Sequence, residues 1–525
     1  METKALRRKI LDLAIRGQLV PQDPADEPAS VLLDRIRAEK QKMVKEGKLK
    51  AKDIKNDSII FVGEDSLHYE KFADGSVKCI EDEIPFELPE GWAWARLGTV
   101  FSTVTGATPS TKDASLYGTD YPFYKPTDLD AGYNVCGAED SVSEKGYLSG
   151  RPLPKFSVLV TCIGATIGKT GYISNAGICN QQINAVLPNS EVLSDYTYFC
   201  MCSQYEQEQI WTNSSATTLP ILNKSKFDNL LFPIPPHEQQ SRIVERIKGL
   251  FFFVEKVQSN QESLKTTVGI AKSKILDLAI RGQLVPQDPN DEPASVLLER
   301  IRAEKEELIR QGKLKRDKKE SVIFRGDDNS YYEKVGGEVQ CIDNEIPFDI
   351  PETWAFVRLK HIGTVIGGGT PKTNVPSFWD GEIPWLTPAD LSGHKEIYVS
   401  AGGRNIKREG LDSSSAQLMP AGAVLYSSRA PIGYVAISAN PIATNQGFKS
   451  VVPYDFSMSE YLYYCLQART PDIEQRATGT TFKEISGSAM AETIIPLPPI
   501  AEQQRIVSCV QSYVEKLFVV EKQIN

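Results

Sequence analysis

The chain has 525 residues, of which 41% are hydrophobic and 24% charged, and its formal net charge is −9. This length favours several domains. The acidic balance argues weakly against a protein that coats nucleic acid, although it allows local basic faces. No apolar run reaches the roughly 20 residues that span a bilayer, and the N-terminal stretch METKALRRKI lacks the apolar segment of an export signal.

Cysteine and histidine usage predicts neither a disulfide framework nor a metal site. The nine cysteines include no CxxC pair, and the close pair Cys200 and Cys202 is too close for a typical zinc knuckle. The four histidines lie far apart in the sequence. Without an export signal, this usage predicts reduced thiols in a cytoplasmic protein, with no catalytic residue and no bound metal in the chain.

A long internal repeat organises the chain. Residues 9–50 and 274–315 share the frame KILDLAIRGQLVPQDP…DEPASVLL, and they differ at eight of 42 aligned positions, which leaves 34 identical. Shorter matches follow, between IPFELPEGWAWARL and IPFDIPETWAFVRL and between FPIPPHEQQSRIV and IPLPPIAEQQRIV. The blocks between these markers differ strongly. A constant frame with divergent inserts predicts two equivalent docking sites and two different targets. Simple drift after duplication should instead change the frame and the inserts to the same extent.

The helical part of the frame begins with an apolar seam. From Ile243 to Leu278 apolar residues alternate at spacings of four and three, which is typical of a coiled coil over about five heptads. Gln261 interrupts the seam, either as a buried residue that sets register or as a solvated side chain. The C-terminal residues repeat the first part of this seam, and Leu6, Ile10 and Leu13 supply the rest. The pattern predicts a cyclically arranged two-fold chain with two long antiparallel helical elements.

A turn with the sequence RGQLVPQ follows each seam. Gly17 and Gly282 are predicted to end the helices, and Ser30 and Ser295 to lie in the first turn of a second helix. Identical polar side chains at identical places suit two identical partners. The predicted partner-binding residues are Arg16, Gln18, Gln22, Arg281, Gln283 and Gln287. The alternative is that these turns only terminate helices.

The stretch TCIGATIGKTG, residues 161–171, looks like a phosphate-binding loop. A P-loop places four residues between its glycines, but only three separate Gly164 from Gly168. The corresponding stretch of the second block, SSRAPIGYVA, has no Lys-Thr pair. A strand, a glycine-containing turn and a second strand are therefore predicted in place of an ATP site.

Polar and basic loop positions of the two blocks are the candidates for contact with DNA, since such side chains reach phosphates and base edges. The alternative for each is an ordinary surface residue. The candidates are Thr108, Lys112, Lys125, Lys169 and Gln181 in the first block, and Thr370, Lys372, Arg429, Gln446 and Lys483 in the second.

At these motifs the chain resembles the specificity subunit of type I restriction–modification systems, over essentially its whole length. The doubled frame, the helix starts IPPHEQQSRIV and LPPIAEQQRIV, and the turns VTCIGATIGKTG and NQQIN carry the resemblance. It implies an α+β fold with two β-rich α/β target-recognition domains, separated by two long antiparallel conserved helices that form a coiled coil. The expected divisions are an N-terminal helical region (1–50), a first recognition domain (51–235), a helical spacer (236–315), a second recognition domain (316–497) and a C-terminal helix (498–525).

The resemblance also implies a function. Each recognition domain would read one half of a split sequence in double-stranded DNA, and the helices would fix the gap. Two modification subunits would dock on the frame and methylate adenine at N6, and two restriction subunits can join. The chain would hold no cofactor, with S-adenosylmethionine, ATP and Mg on the partner subunits. It lacks the [DNS]PP[FYW] motif of an adenine methyltransferase, since its Pro-Pro pairs read IPPH and LPPI.

Two other interpretations compete with this one. A hydrolase or ATPase would need a nucleophile–base pair or a metal cluster, and the sequence offers neither. A coiled-coil scaffold with two protein-binding domains stays open, and salt-dependent binding of a duplex would distinguish it from a DNA-reading subunit.

Overall fold

The structure is a computed structural model that describes residues 3–47, 49–51, 54–215, 219–316, 320–479 and 483–524. The chain divides into two compact units, residues 1–260 and 261–525. The division falls inside the spacer predicted for residues 236–315, so each unit contains part of the helical frame and one variable block. The finer domain boundaries stay a prediction.

The first unit alternates frame helices with short strands. Its helices are α1 (Thr3–Ile15), α2 (Ala29–Lys45), α3 (Leu97–Val100), α4 (Glu144–Ser149), α5 (Ser194–Met201), α6 (Gln204–Asn213), α7 (Lys224–Asp228) and the start of α8 (His237–Ile280). Its strands are β1 (Ser58–Val62), β2 (His68–Phe72), β3 (Val77–Cys79), β4 (Ala93–Arg96), β5 (Thr103–Thr105), β6 (Tyr117–Tyr124), β7 (Asp140–Val142), β8 (Val158–Thr161), β9 (Thr170–Tyr172), β10 (Ile178–Cys179), β11 (Ile183–Val186) and β12 (Leu231–Ile234).

The described residues of this unit form four small sheets. Their strand orders are β1-β2-β3, β12-β4, β10-β6-β7 and β5-β11-β8-β9. The main apolar core joins the frame to the variable block, with Ile15 and Leu32 of the frame helices in the same cluster as Tyr196, Phe232 and Ile243. Burial of these large side chains fixes the variable block against the frame.

The second unit follows the same plan. Its helices are the remainder of α8, α9 (Ala294–Arg310), α10 (Arg408–Asp412), α11 (Ser459–Gln475), α12 (Gly487–Ala491) and α13 (Ile500–Ile524). Its strands are β13 (Ser321–Arg325), β14 (Tyr331–Val335), β15 (Glu338–Cys341), β16 (Ala355–Arg358), β17 (Gly363–Gly367), β18 (Trp379–Leu386), β19 (Tyr398–Val399), β20 (Arg404–Ile406), β21 (Val424–Ser428), β22 (Ile432–Ser438), β23 (Ala443–Thr444), β24 (Lys449–Pro453) and β25 (Ile494–Leu497).

The sheets of the second unit correspond to those of the first. Their orders are β13-β14-β15, β16-β25, β20-β18-β23 and β17-β24-β21-β22-β19. The main core again joins frame and block, with Leu297, Tyr426, Tyr461, Ile495 and Ile506 in one cluster. The predicted α+β fold with a repeated domain is confirmed.

The longest element is the 44-residue helix α8, whose two parts pack against different helices. In the first unit Arg7 of α1 bonds to Glu255 at 3.0 Å and lies over the ring of Phe251. In the second unit Lys272 bonds to Glu521 of α13 at 2.8 Å, and Gln261 Nε2 donates to the carbonyl oxygen of Ile524 at 3.0 Å. Gln261 is therefore bonded to a neighbouring helix and is more than a solvated side chain.

Burial along the predicted seam is uneven. Ile243, Ile247 and Val268 are buried, whereas Val257 and Leu264 near the middle are 42% and 45% exposed. The continuous five-heptad seam expected from the sequence is thus covered toward its ends and open in its centre. The spacing of apolar residues shows which face of the helix is apolar, but not how far the neighbouring helices extend.

Both frame helices end at the predicted glycines. The helices α1 and α8 end at Ile15 and Ile280, and Gly17 and Gly282 follow with φ of +65° and +69°. A Cβ at either glycine would lie 2.4 Å from a proline side chain, Pro89 or Pro351. Glycine is required by the backbone conformation and by this close approach.

Candidate nucleic-acid interface

Four loops meet in the first unit, and together they are called the first loop cluster: residues 105–110, 162–169, 180–182 and the described parts of 214–223. Backbone bonds join them. The amide of Cys162 donates to Gln182 at 2.7 Å, that of Gly164 to Pro220 at 3.0 Å, and that of Ala107 to Cys179 at 2.8 Å. The cluster brings together segments that are more than 100 residues apart in the sequence.

The stretch that resembled a P-loop is part of this cluster. It joins β8 to β9, which pair antiparallel, and Gly164 and Gly168 have φ of +104° and +86°. Gln207 Nε2 donates to the carbonyl oxygen of Gly168 at 2.8 Å, and Lys169 Nζ bonds to Asp130 at 2.6 Å. The predicted strand–turn–strand is confirmed.

The second unit has an equivalent second loop cluster, formed by residues 367–372, 428–433, 445–448 and the described parts of 478–486. The amide of Ser428 donates to Gly447 at 2.7 Å, that of Ile485 to Ser428 at 3.1 Å, and that of Gly369 to Thr444 at 2.9 Å. The two blocks have little sequence in common, yet they assemble the same four loops.

An Asn-Gln turn is the central element of each cluster. Asn180 Oδ1 accepts from the amide of Gln182 at 3.1 Å, and Asn445 Oδ1 accepts from the amide of Gly447 at 2.9 Å. This bond from an Asn side chain to the backbone two residues on is typical of an Asx turn. The residue after each Asn, Gln181 or Gln446, is exposed.

The first loop of each cluster packs directly on this turn. A Cβ at Gly106 would lie 2.1 Å from the carbonyl oxygen of Asn180, and one at Gly368 would lie 1.8 Å from that of Asn445. No side chain fits at these distances, so glycine permits the loop to approach. The approach places Thr108 and Thr370 beside the exposed glutamines.

A threonine–glutamine pair results in both clusters. Thr108 Oγ1 donates to Gln181 Oε1 at 2.6 Å, and Thr370 Oγ1 donates to Gln446 Oε1 in the same way. Within the residues that the structure describes, neither glutamine Nε2 donates a hydrogen bond. Each pair therefore presents an oriented amide whose N–H groups are available to a ligand. All four residues were sequence candidates, but the sequence did not show that they pair.

The basic candidates of the first unit are mostly paired with acids. Lys125 bonds to Asp140, which raises the pKa of the lysine, and Lys169 bonds to Asp130. Lys112 is exposed just beyond the first loop of the cluster. Lys169 belongs to the cluster, whereas Lys112 and Lys125 lie outside the four loops.

In the second unit one of the three basic candidates lies beside a carboxylate. Arg429 lies 3.6 Å from Glu484, while Lys372 and Lys483 are exposed. Sequence reasoning missed Lys449, whose Nζ bonds to the same Glu484 at 3.1 Å. Lys449 ends the stretch TNQGFK, so the signal was its position three residues after the turn glutamine. Arg429 and Glu484 lie in the second loop cluster, and Lys449 directly follows its third loop.

Comparison with known proteins decides the family. The family described as Type I restriction modification DNA specificity domain matches the chain twice, at residues 89–264 and at 351–525. The chain belongs to this family. The two matches contain the two loop clusters, one in each specificity domain.

Relatives of the two specificity domains extend this result. The chain is 44% identical over 178 residues to the type I restriction enzyme MjaIX specificity subunit of Methanocaldococcus jannaschii, an alignment that covers 34% of this chain and 41% of that one. It is 25% identical to the type I restriction enzyme EcoEI specificity subunit of Escherichia coli over 578 aligned positions, which cover 97% of this chain and 89% of the relative. A solved chain from a study of complex assembly and conformational transition of the type I R-M system matches with a TM-score of 0.55 at 19% identity, covering 84% and 94%. That likeness shows the fold.

The turns predicted to dock partners make contacts within their own units. Arg16 bonds to Asp12 at 2.8 Å and lies over Phe86, and Arg281 does the same with Asp277 and Phe348. These arginines are half-buried and fix the turns to the loops that lead into the specificity domains.

The glutamines of the same turns differ in their bonding. Gln22 accepts from Gln239 at 2.9 Å and Gln287 donates to Glu502 at 2.5 Å, so each is bonded to the helix that follows its specificity domain. Gln18 and Gln283 are exposed. Four of the six residues thus make contacts within their own units, and partner binding stays a prediction.

Three further findings concern metal ligands, membrane spans and cysteines. In the described ranges no group of three or more His, Cys, Asp or Glu side chains could hold a metal ion. Within the same ranges no helix is both long and apolar enough to cross a membrane. All nine cysteines are free.

Proposed function

We propose that this chain is the sequence-reading subunit of a type I restriction–modification complex and that it reads a split duplex target, with one loop cluster for each half-site. The threonine–glutamine pair, present in both clusters although the blocks have diverged, is the observation that carries this proposal. Its members lie on two loops joined by backbone bonds, so the amide is held in place before any ligand binds.

The chemistry of a fixed glutamine amide suits a base edge. An amide can donate and accept at once, which matches the N7 and N6 groups of adenine in the major groove. Here the threonine hydroxyl holds Oε1, and Nε2 faces outward as a donor. Because the pair is the same in both units, we propose that it reads a base feature that the two half-sites share.

The cations around the pairs differ between the units, and we propose that they give each half-site its own sequence. Lys169 stands in the first cluster, whereas Arg429 and Lys449 surround Glu484 in the second. Arginine can bond to guanine O6 and N7 in a bidentate manner, while a lysine acts as a point charge on phosphate or base.

The catalytic work is assigned to other subunits. We propose that two modification subunits methylate adenine at N6 and that two restriction subunits can join for cleavage. S-adenosylmethionine, ATP and Mg are then bound by those partners. The chain contributes recognition only, which agrees with a loop cluster built from amides, hydroxyls and cations.

The test is a methylome. The full chain would be co-expressed with its modification subunit in a host without N6-methyladenine, and methylated sites would be mapped by long-read sequencing. The expected result is one split motif with a fixed gap, dependent on this chain. Gln181→Ala should relax one position of one half-site and Gln446→Ala one position of the other, each by about 1–3 kcal/mol of discrimination.

A matched control separates reading from folding. Gln204 is a solvated glutamine that bonds to Glu208 on the surface of α6, so Gln204→Ala should leave both half-sites intact. Absence of any motif with the wild-type pair of proteins, despite a stable complex, would contradict the proposed function and favour a scaffold that binds proteins.

A further inference from the structure

Each unit contains a three-stranded antiparallel sheet that lies before its specificity domain and outside the residues matched by the family. In the first unit Ile59 pairs with Lys71, and Phe61 pairs with Tyr69. In turn Lys71 pairs with Val77, and Tyr69 with Cys79. Residues directly opposite each other share a face. These side chains therefore form one face of the sheet, called here the outward face.

The second unit has the same outward face. Val322 pairs with Lys334 and Phe324 with Tyr332, and these pair in turn with Val339 and Cys341. The Phe–Tyr ring pairs of the two outward faces have nearly the same geometry. The Phe61 and Tyr69 centroids lie 5.9 Å apart at 27°, and those of Phe324 and Tyr332 lie 5.9 Å apart at 25°.

The outward faces are exposed and largely apolar. Phe61 and Val77 are 40% and 52% exposed, and Phe324 and Val339 are 41% and 54% exposed. The opposite face packs on the body of the unit, where Glu70 or Glu333 is buried against an arginine. Apolar side chains left open on one face of a small sheet mark an interaction site when they form a contiguous patch.

The internal repeat allows the two faces of the sheet to be compared. Five of the six outward positions are identical and the sixth is Ile or Val: 59/322, 61/324, 69/332, 71/334, 77/339 and 79/341. Only three of the seven inward positions are identical: 58/321, 60/323 and 70/333. The other four inward positions, 62/325, 68/331, 72/335 and 78/340, have changed.

Folding accounts for the inward face, where the buried positions 58/321 and 70/333 are kept and the exposed positions 62/325 and 78/340 have changed. It does not account for the outward face, because substitutions at exposed positions usually change stability by less than about 0.5 kcal/mol and should accumulate faster than those at buried positions. The exposed face has instead been kept. An external constraint that is the same for both units explains the pattern.

We propose that the two outward faces are equivalent docking sites for two copies of one partner protein, which under the proposed function is the modification subunit. This inference rests on the proposed function for the identity of the partner. The partner would present an apolar patch that accommodates the Phe–Tyr stack, with a carboxylate that meets Lys71 in one unit and Lys334 in the other.

Charge complementarity selects this occupant over two others. The six side chains of each outward face include one lysine and no acid, so pairing with the same face of a second copy would cover both lysines without giving either a carboxylate partner. A DNA backbone would need several cations, since its affinity comes from neutralising many phosphates. One lysine within an apolar patch fits a protein surface with one acid. The face serves as the anchor of a larger interface, because six residues alone fall short of a standard one.

The test counts bound partners. The full chain, in wild-type form and as Phe61→Ser, Phe324→Ser and the double variant, would be mixed with the modification subunit and measured by native mass spectrometry. The expected numbers of partners bound are two, one, one and none, with affinity at each altered site reduced at least about tenfold. Val62→Ser is the matched control, since Val62 is 58% exposed on the opposite face and is an arginine in the second unit.

Charge reversal gives a second set of variants that leave the apolar packing untouched. Lys71→Glu and Lys334→Glu should each remove one partner, because the new carboxylate would repel the partner's carboxylate. The variants should stay folded, since both lysines are exposed. Two partners retained by both the serine and the glutamate variants would overturn the docking inference, while the split methylation motif would still support the proposed function. A wild-type chain that binds no modification subunit would overturn both. Self-association of the chain that Phe61→Ser abolishes would overturn the docking inference alone.

Discussion

Each unit buries a tryptophan indole against a frame helix, but the side chain that accepts its hydrogen bond differs between the units. In the first, Trp92 Nε1 donates to Gln239 Oε1 at 2.9 Å; in the second, Trp354 Nε1 donates to Glu502 Oε2 at 2.9 Å. Both acceptors lie in the first turn of a frame helix, and both bond to the glutamine of an RGQLVPQ turn. A buried indole needs only an acceptor, so the frame tolerates either a neutral or an ionisable side chain there.

Elsewhere the units agree more closely. Arg96 bonds to Glu70 and Glu83, and Arg358 bonds to Glu333 and Glu345. Both arginines are about 7% exposed and hold the three-stranded sheet on the body of the unit. The arginine network is therefore the same in both units, whereas the acceptor of the buried indole and the cations of the loop clusters differ.

The largest expected effect comes from breaking the shared ion network. Arg358→Ala would leave Glu333 buried without its cation, at a cost of about 3–5 kcal/mol. The loss should be confined to the second unit, and Arg96→Ala should do the same to the first. Hydrogen exchange of peptides from each unit measures the loss of stability in that unit directly.

A surface pair provides the control for that experiment. Arg300 and Glu292 are about half exposed, so Arg300→Ala should cost no more than about 1 kcal/mol. Equal loss of protection in both units after Arg358→Ala would show that the two units unfold together, and the comparison between them would then fail as a guide to stability.

A smaller effect is expected at the glycine beneath the second loop cluster. In Gly368→Ala the new Cβ would lie 1.8 Å from the carbonyl oxygen of Asn445, so the turn must shift, at about 1–3 kcal/mol. Peptides containing residues 444–449 should exchange faster. Gly269→Ala in α8, where a Cβ meets nothing within 4 Å, should instead raise stability by up to about 1 kcal/mol. Unchanged exchange at the turn in Gly368→Ala would contradict the close packing.

The cations should distinguish the two clusters. Arg429→Ala should relax one base position of the second half-site by about 1–3 kcal/mol and leave the first half-site unchanged. Lys169→Ala should instead weaken binding to all sequences and reduce the slope of log affinity against log salt by about one, if it contacts a phosphate. Competition binding with altered half-sites at two salt concentrations measures both. Loss at both half-sites after Arg429→Ala would refute the assignment of one cluster to each.

Much of this architecture follows from the sequence because the repeat is nearly exact. The helix ends at Gly17 and Gly282 and the strand–turn–strand around Gly164 depend on local chemistry, which a sequence displays. The pairing of Thr108 with Gln181 depends on a loop approach across 73 residues, which no local pattern encodes. The contacts of Arg16 and Arg281 are hard to predict from the sequence for the same reason, since the aromatic rings that they cover lie 70 and 67 residues away.

The open middle of the helical seam shows a different limit. Heptad spacing identified the apolar side of α8, but exposure of Val257 and Leu264 depends on where the packed helices stop. Lys449 was missed because a lysine at the end of a strand has no signature until its carboxylate partner, Glu484, is known.

The smallest expected effect concerns the acceptor of the buried indole, which is Gln239 in the first unit and Glu502 in the second. Burial raises the pKa of Glu502 above its ordinary value, so in the window between those two values the folded second unit binds more protons than the unfolded chain. Its stability should therefore fall as pH rises through this window and level off above the raised pKa. Glu502→Gln should remove that component and make the second unit behave as the first, where Gln239 cannot titrate. Hydrogen exchange of second-unit peptides at pH 5 and pH 8 would show the variant gaining on the wild type at the higher pH. Gln239→Glu should transfer the same pH dependence to the first unit. A variant that follows the wild type at both pH values would mean that Glu502 ionises freely in the folded chain, and that the Trp354 bond, rather than burial, governs its environment.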